Sequence, residues 1–360
     1  MKSLLRLLLK SHHQPNPSGP AQTDKGMTLV ELLVGAIMAF LIITPMLAFV
    51  VDMLNTDRRE QVKSNTEQDI QAAVDFIAQD LSQALYIYDN IEINGGTRGT
   101  VTVTAIKSQL PTNDDNKIPI LVFWKRQQIK NSVPINSDVK PRDCNDQKNT
   151  GKCNDTYVLS LIAYYQIKDS TPNSTWCQPS GDPCPTRIAR YEIRDGVRNP
   201  YATDPADPYY NVNDTDPAQQ RDVAFNKDFD FSKPTEKVTI QGKLTDDSSG
   251  ATKPQVLVNY IDHTTPDPTL SPTECQTALG KPTDPKDTTK VLDYGTLKVS
   301  DGLTNSFYAC VDTARNIARV TIRGNSLRRI QAKDAEFKTT SSAYFPTATV
   351  QVQGLGAVGK

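Results

Sequence analysis

The chain has 360 residues, 22% charged and 37% hydrophobic, enough for a sizeable core in one large domain or two small ones. The 40 basic residues are balanced by 41 acidic ones, for a net charge of −1. This excludes a global attraction to nucleic acid or anionic lipid and leaves only local patches to consider. With 24 prolines and 7% aromatic residues, most of the chain reads as rich in loops.

Residues 1–26 carry Lys2, Arg6, Lys10 and Lys25 against one acid, Asp24. The run Leu4, Leu5, Leu7, Leu8 and Leu9 is interrupted by Arg6 and followed by Pro15, Pro17 and Pro20, so it is too short to span a bilayer. From Met27 to Val51 the only charge is Glu31. A helix of that length extends ~37 Å, more than a bilayer core of ~30 Å, and one membrane span is expected there. The positive flank ahead of it assigns the N-terminal side to the cytoplasm and everything after Asp52 to the outside. A carboxylate inside such a span is costly, so Glu31 reads as functional, with an opposite charge as its partner. Gly35 and Pro45 weaken the helix locally; Pro45 reads equally well as a simple kink, and no function is assigned to it.

Gly26 followed by Met27, Thr28, Leu29, Val30, Glu31, Leu32 and Leu33 resembles the processing and N-methylation site of type IV pilins and type II secretion pseudopilins. The resemblance implies that a prepilin peptidase removes residues 1–26 and methylates the new amine of Met27. It also implies that the apolar helix packs into a filament core, with Glu31 opposite a neighbouring subunit's amine. Met27 stands where that family usually has Phe. The competing reading is an uncleaved signal anchor, which needs neither Gly26 nor Glu31.

From Asp52 to Asp69 the sequence is almost wholly polar, and then Ile70, Val74, Ile77, Leu81 and Leu85 recur at helical spacing. The helix is expected to continue over residues 52–89 and to lay this stripe on a core. The stretch from Leu54 to Gln61, with the Tyr86, Ile87, Tyr88 and Asp89 end, resembles the hormogonium polysaccharide secretion pseudopilins of filamentous cyanobacteria. Gly95, Gly96, Arg98 and Gly99 read as a turn. Strand patterns follow at Val101 and Val103, Ile118 to Trp124, Tyr157 to Ile167, Ile188 to Arg194, Lys237 to Gln241, Val256 to Ile261, Ser306 to Val311, Ile317 to Arg323 and Thr347 to Gln353. In Ile188 to Arg194 the residues Arg190, Glu192 and Arg194 fall on the polar face. The predicted fold is α+β: a long N-terminal helix, its first half transmembrane and its second half amphipathic, packed on a mostly antiparallel β-sheet head spanning residues 90–360. Polar insertions at Asn131 to Thr156, Lys168 to Thr186, Val197 to Pro234 and Asp262 to Lys290 are expected to form the surface that meets partners and ligands.

All six cysteines follow the span, on the side where disulfides are expected. Proximity favours pairing Cys144 with Cys153, Cys177 with Cys184 and Cys275 with Cys310, one of 15 connectivities. Zinc is the alternative, although no C-x-x-C spacing occurs and His263 is the one histidine beyond the leader, which holds His12 and His13. No catalytic motif is recognisable, and neither an enzyme nor a cofactor is expected. Asn211, Asn213, Asp214 and Asp216 read as a solvated turn more readily than as a calcium loop. Arg319, Arg323, Arg328 and Arg329, with Arg315, form a basic strip that reads either as a solvated strand face or as a patch for an acidic ligand. The expectation is a minor pilin or pseudopilin that assembles into, or primes, a pilus-like filament supporting polysaccharide secretion and motility. Its partners are the prepilin peptidase, other pilins and the assembly machinery, the inner membrane and the exported polysaccharide. The alternative is a signal-anchored carbohydrate-binding or carbohydrate-degrading protein that does not polymerise.

Overall fold

The computed structural model describes residues 28–111, 116–149, 151–240, 254–265, 271, 273–284 and 287–356. Gly26, Met27 and the leader lie outside the described residues. The chain divides into two compact units, residues 1–58 and 59–360.

In the first unit the helix α1 (Leu29–Ser82) begins. Thr28 starts it: the Glu31 N–H donates to the Thr28 hydroxyl at 3.3 Å and lies 3.0 Å from the Thr28 carbonyl. Its most apolar 18-residue window has a mean hydropathy of 2.5 and none of it is buried, so one N-terminal helix is long and apolar enough to cross a membrane. Pro45 sits within it, and the neighbouring Thr44 hydroxyl donates to the Phe40 carbonyl at 2.8 Å. The loop of backbone bonds that Pro45 interrupts is thereby flanked by a side-chain bond.

In the second unit α1 buries Thr66, Ile70, Ala73, Val74, Ile77, Asp80 and Leu81. The four aliphatic members at the expected spacing each contribute roughly 1.5–3 kcal/mol by leaving water. The helix stops at Ser82 and not at Asp89, because Ala84, Leu85, Tyr86 and Ile87 form strand β1 (Ala84–Ile87). Aromatic and β-branched side chains favour the extended backbone, and an edge was free to receive it: β1 pairs antiparallel with β4 (Lys117–Pro134). A short helix α2 (Asn90–Asn94) follows, then the hairpin of β2 (Gly96–Arg98) and β3 (Val101–Val103), turned at Gly99 with φ +64°. Of the four residues read as a turn, Gly99 turns the hairpin and Gly95 ends α2, whereas Gly96 and Arg98 lie in β2.

Strands β5 (Cys153–Lys168), β6 (Thr186–Arg194) and β7 (Gln255–Ile261) complete an antiparallel sheet of order β1-β4-β5-β6-β7. A second antiparallel sheet has the order β10-β11-β12-β13, from β10 (Lys298–Val299), β11 (Phe307–Asp312), β12 (Ile317–Arg323) and β13 (Thr347–Gln353). The second half of α1 and both sheets contribute to one continuous core. The sheets are stitched at their ends, where Ile261 bridges Gly324, the Asp262 N–H donates to the Arg323 carbonyl at 3.0 Å and the Asn325 N–H donates to the Tyr260 carbonyl at 2.8 Å. The fold is α+β, a long N-terminal helix on an antiparallel sheet head.

The insertions are less free than their composition suggests. Between β6 and β7, Phe225, Phe229 and Phe231 close around Trp124, with Phe229 stacked on it at 4.3 Å. That cover explains why Ile120 to Trp124 is buried on both faces of β4 and reads as an unbroken apolar run. Lys237 to Gln241 forms no strand; a single bridge joins Thr239 to Phe225, and Gln241 lies outside the described residues. The Asp262 to Lys290 insertion holds α3 (Glu274–Ala278), β8 (Thr283–Asp284) and part of β9 (Asp287–Val291), before α4 (Tyr294–Leu297) leads into β10.

Candidate functional site

Glu31 lies in the first turn of α1, exposed, three residues after Thr28. Threonine at the N-cap with glutamate at the third helical position is a capping-box pattern, and a negative charge there also complements the helix dipole. The residue is therefore suited both to starting the helix and to presenting a carboxylate at the head of an apolar rod. Gly26 and Met27, the other residues of the processing motif, fall outside the described residues.

All six cysteines are bonded: Cys144–Cys153, Cys177–Cys184 and Cys275–Cys310. No thiolate is left for zinc, and among the described residues no group of three His, Cys, Asp or Glu side chains is placed to hold a metal ion. Asn211 and Asp216 are spent on capping the turns that follow them, and Asp214 pairs with Lys140 at 2.6 Å.

Most of the basic strip is engaged within the protein. Arg323 pairs with Asp262 at 2.9 Å, Arg329 pairs with Asp69, and Arg315 pairs with Asp312. Arg328 is the largest departure, being fully buried and donating to the carbonyls of Pro183, Pro179 and Gly181 at 2.9, 2.9 and 3.1 Å. A guanidinium has five N–H groups in a rigid fork, and the disulfide-closed loop 177–184 turns its carbonyls inward to receive them. Arg319 lies half-buried on β12. Of the four arginines Arg319, Arg323, Arg328 and Arg329, the last three thus make contacts within the protein.

Two charged clusters were not legible in the sequence. Asp80 on α1 receives Lys125 Nζ from β4, Arg190 Nε from β6 and the Tyr164 hydroxyl from β5, each at 2.7 Å. Burial pushes the Asp80 carboxyl up, but the Arg190 and Lys125 charges and hydrogen bonds outweigh it and hold the group below the usual carboxylate range. Arg190, assigned to a polar face by alternation, is buried here because that face of β6 lies beneath the helix. The second cluster surrounds α2. Asp89 caps it reciprocally with Glu92, the Tyr86 hydroxyl donates to Glu92 at 2.6 Å, and Arg98 pairs with Asp89. Burial, then the Asp89 charge, raises the Glu92 carboxyl to about 7 against the pull of Tyr86 and Arg98. The space beside it, about 20 Å³ between Asp89, Arg98 and Asp312, has room for little more than a water.

A larger opening in the second unit is a groove of about 490 Å³ between Asp69 to Phe76 of α1 and Val256 to Tyr260 of β7. That volume falls within the range of small-molecule sites. Trp176 from the Lys168 to Thr186 insertion forms its rim, so this insertion does supply surface to a cleft. Tyr260 holds φ at +60°, a left-handed conformation that costs a bulky residue about 1–3 kcal/mol.

No family model, no curated protein and no solved structure matches the chain.

Proposed function

We propose that this protein is a pilin-like subunit, a minor pilin or pseudopilin, that acts by assembly into a filament and not by catalysis. The observation that carries the reading is the first half of α1: an apolar helix with none of its most apolar window buried and a single carboxylate in its first turn. An apolar surface of that extent requires cover, from lipid before assembly and from other helices after it. The register of Gly26, Met27 and Glu31 supports prepilin-peptidase processing, with the leader in the cytoplasm and the disulfide-bonded head outside it. A role in polysaccharide secretion and motility rests on the likeness to hormogonium pseudopilins alone.

The N-terminus of native protein extracted from membranes tests the processing directly. Mass spectrometry is expected to find the chain beginning at methylated Met27. An intact leader in cells with active prepilin peptidase overturns the proposal in favour of a signal anchor.

A further inference from the structure

The groove between α1 and β7 has a composition that the assembly reading does not use. Three aromatic rings line it, Phe76, Trp176 and Tyr260, with Trp176 and Phe76 38% and 37% exposed. Each ring lies near an arginine: Arg187 is 5.3 Å from the Trp176 centroid, Arg190 5.8 Å from Phe76 and Arg329 4.8 Å from Tyr260. Those guanidiniums are not free to capture an anion, since Arg187 pairs with Asp169, Arg190 with Asp80 and Arg329 with Asp69. The groove therefore offers ring surface with its local charges balanced.

Its polar atoms are incompletely answered. Asn259 donates its amide to the Trp176 carbonyl at 3.2 Å, while Asn259 Oδ1 and Arg329 Nε are shut off from solvent without a hydrogen-bond partner within the protein, so a ligand reaches them only by displacing the Trp176 rim. One is an acceptor and the other a donor, and a hydroxyl group can serve both. A polyhydroxylated ligand with apolar C–H faces matches rings and unpaired polar atoms together. A carboxylated or sulfated one fits less well, because each of the three arginines beside the rings already has a carboxylate partner. An added peptide strand is also disfavoured, since the Tyr260 carbonyl already accepts from Asn325 and Ile261 is already bridged to Gly324. We infer that this groove is a binding site for a neutral glycan chain, stacked on Trp176 and hydrogen-bonded at Asn259 and Arg329. The site is separate from the apolar helix and from assembly, so either inference can fail without the other.

The chain has two tryptophans, and Trp124 is fully buried, which makes Trp176 a reporter of the groove. Full-length protein in a sugar-free detergent would be titrated with neutral hexasaccharides of glucose, mannose, xylose and N-acetylglucosamine, with a hexauronate and an extended hexapeptide alongside. At least one neutral hexasaccharide is expected to change the tryptophan emission saturably. By calorimetry its affinity should fall about tenfold or more in Trp176→Ala and in Asn259→Ala, and stay unchanged in Glu31→Leu. Asn259→Ala keeps the test decisive if Trp176→Ala melts early. Silence from every neutral sugar, binding only of the hexauronate or the peptide, or unchanged affinity in a folded Asn259→Ala protein would each overturn the assignment.

Discussion

Single carboxylates separate the roles that charge plays in this chain. Asp80 is depressed by its cationic neighbours and Glu92 is raised by burial, so the two respond to pH in different windows. For Asp80 the folded state binds its proton more weakly than the unfolded chain; its contribution is present above the ordinary carboxylate value and is lost as pH falls below it. For Glu92 the folded state holds its proton more tightly; its contribution is present below the ordinary value of 4.5 and is lost as pH rises towards about 7. Glu92→Gln is therefore expected to flatten the stability profile between those two values in denaturant titrations, leaving the acid limb unchanged. An identical slope in wild type and variant would show that Glu92 does not titrate there. Asp80→Ala should cost about 3–5 kcal/mol by chemical denaturation, because Lys125 is left buried without its counter-charge and Arg190 keeps only Glu192. None of this was readable from spacing. Asp80, Lys125, Tyr164 and Arg190 come from four separate elements, and strand alternation alone assigns Arg190 to solvent.

The elements are joined by contacts whose strength depends on loop length and close approach. The bridge Cys275–Cys310 closes a separation of 35 residues, against 9 and 7 for the other two. In the chain-entropy account, losing it costs about 4 kcal/mol and losing either short bridge about 2.5 kcal/mol. Paired Cys→Ser variants compared by thermal melting should therefore rank Cys275–Cys310 as the most damaging loss. Gly354 makes the tightest approach to backbone: a Cβ there would stand 2.3 Å from the Ala84 carbonyl oxygen, just where Asn316 Nδ2 donates to that same oxygen at 2.8 Å. Gly354→Ala is expected to destabilise the head by about 1–3 kcal/mol through overpacking, measurable as an earlier urea midpoint. At Gly324 a Cβ would meet the Ile70 side-chain terminus and the Thr66 methyl, both buried, so Gly324→Ala is expected to cost a similar amount. Element existence was legible here wherever periodicity was strong. Ile317 to Arg323 and Thr347 to Gln353 match their strands end to end, whereas β1 was merged into the helix because Ala84 to Ile87 carries no breaker to mark the change.

At the level of the whole chain, Glu31 distinguishes assembly from anchoring. Glutamine keeps the size and hydrogen-bonding capacity of the side chain while removing the charge, and leucine removes both. If the charge answers a neighbour's amine, Glu31→Gln and Glu31→Leu should both be exported and both fail to enter filaments. If Glu31 only starts the helix, Glu31→Gln should assemble like wild type, and cell-surface filament fractions probed by immunoblot separate the outcomes. The sequence by itself determined the apolar helix, its lone carboxylate, the α+β class and the disulfide pairs. Those features are local: they depend on hydropathy, on 3.6 and 2.0 residue periods, and on two pairs of cysteines close along the chain, which leave Cys275 and Cys310 for each other. Tertiary structure alone decided the fate of the charges and insertions. Arg328 became a latch, Asp80 became the tie between helix and sheet, and three phenylalanines became the lid of Trp124. A side chain's partner there comes from a distant part of the chain, and a polar residue reads as surface until the fold supplies the opposite charge that makes its burial affordable.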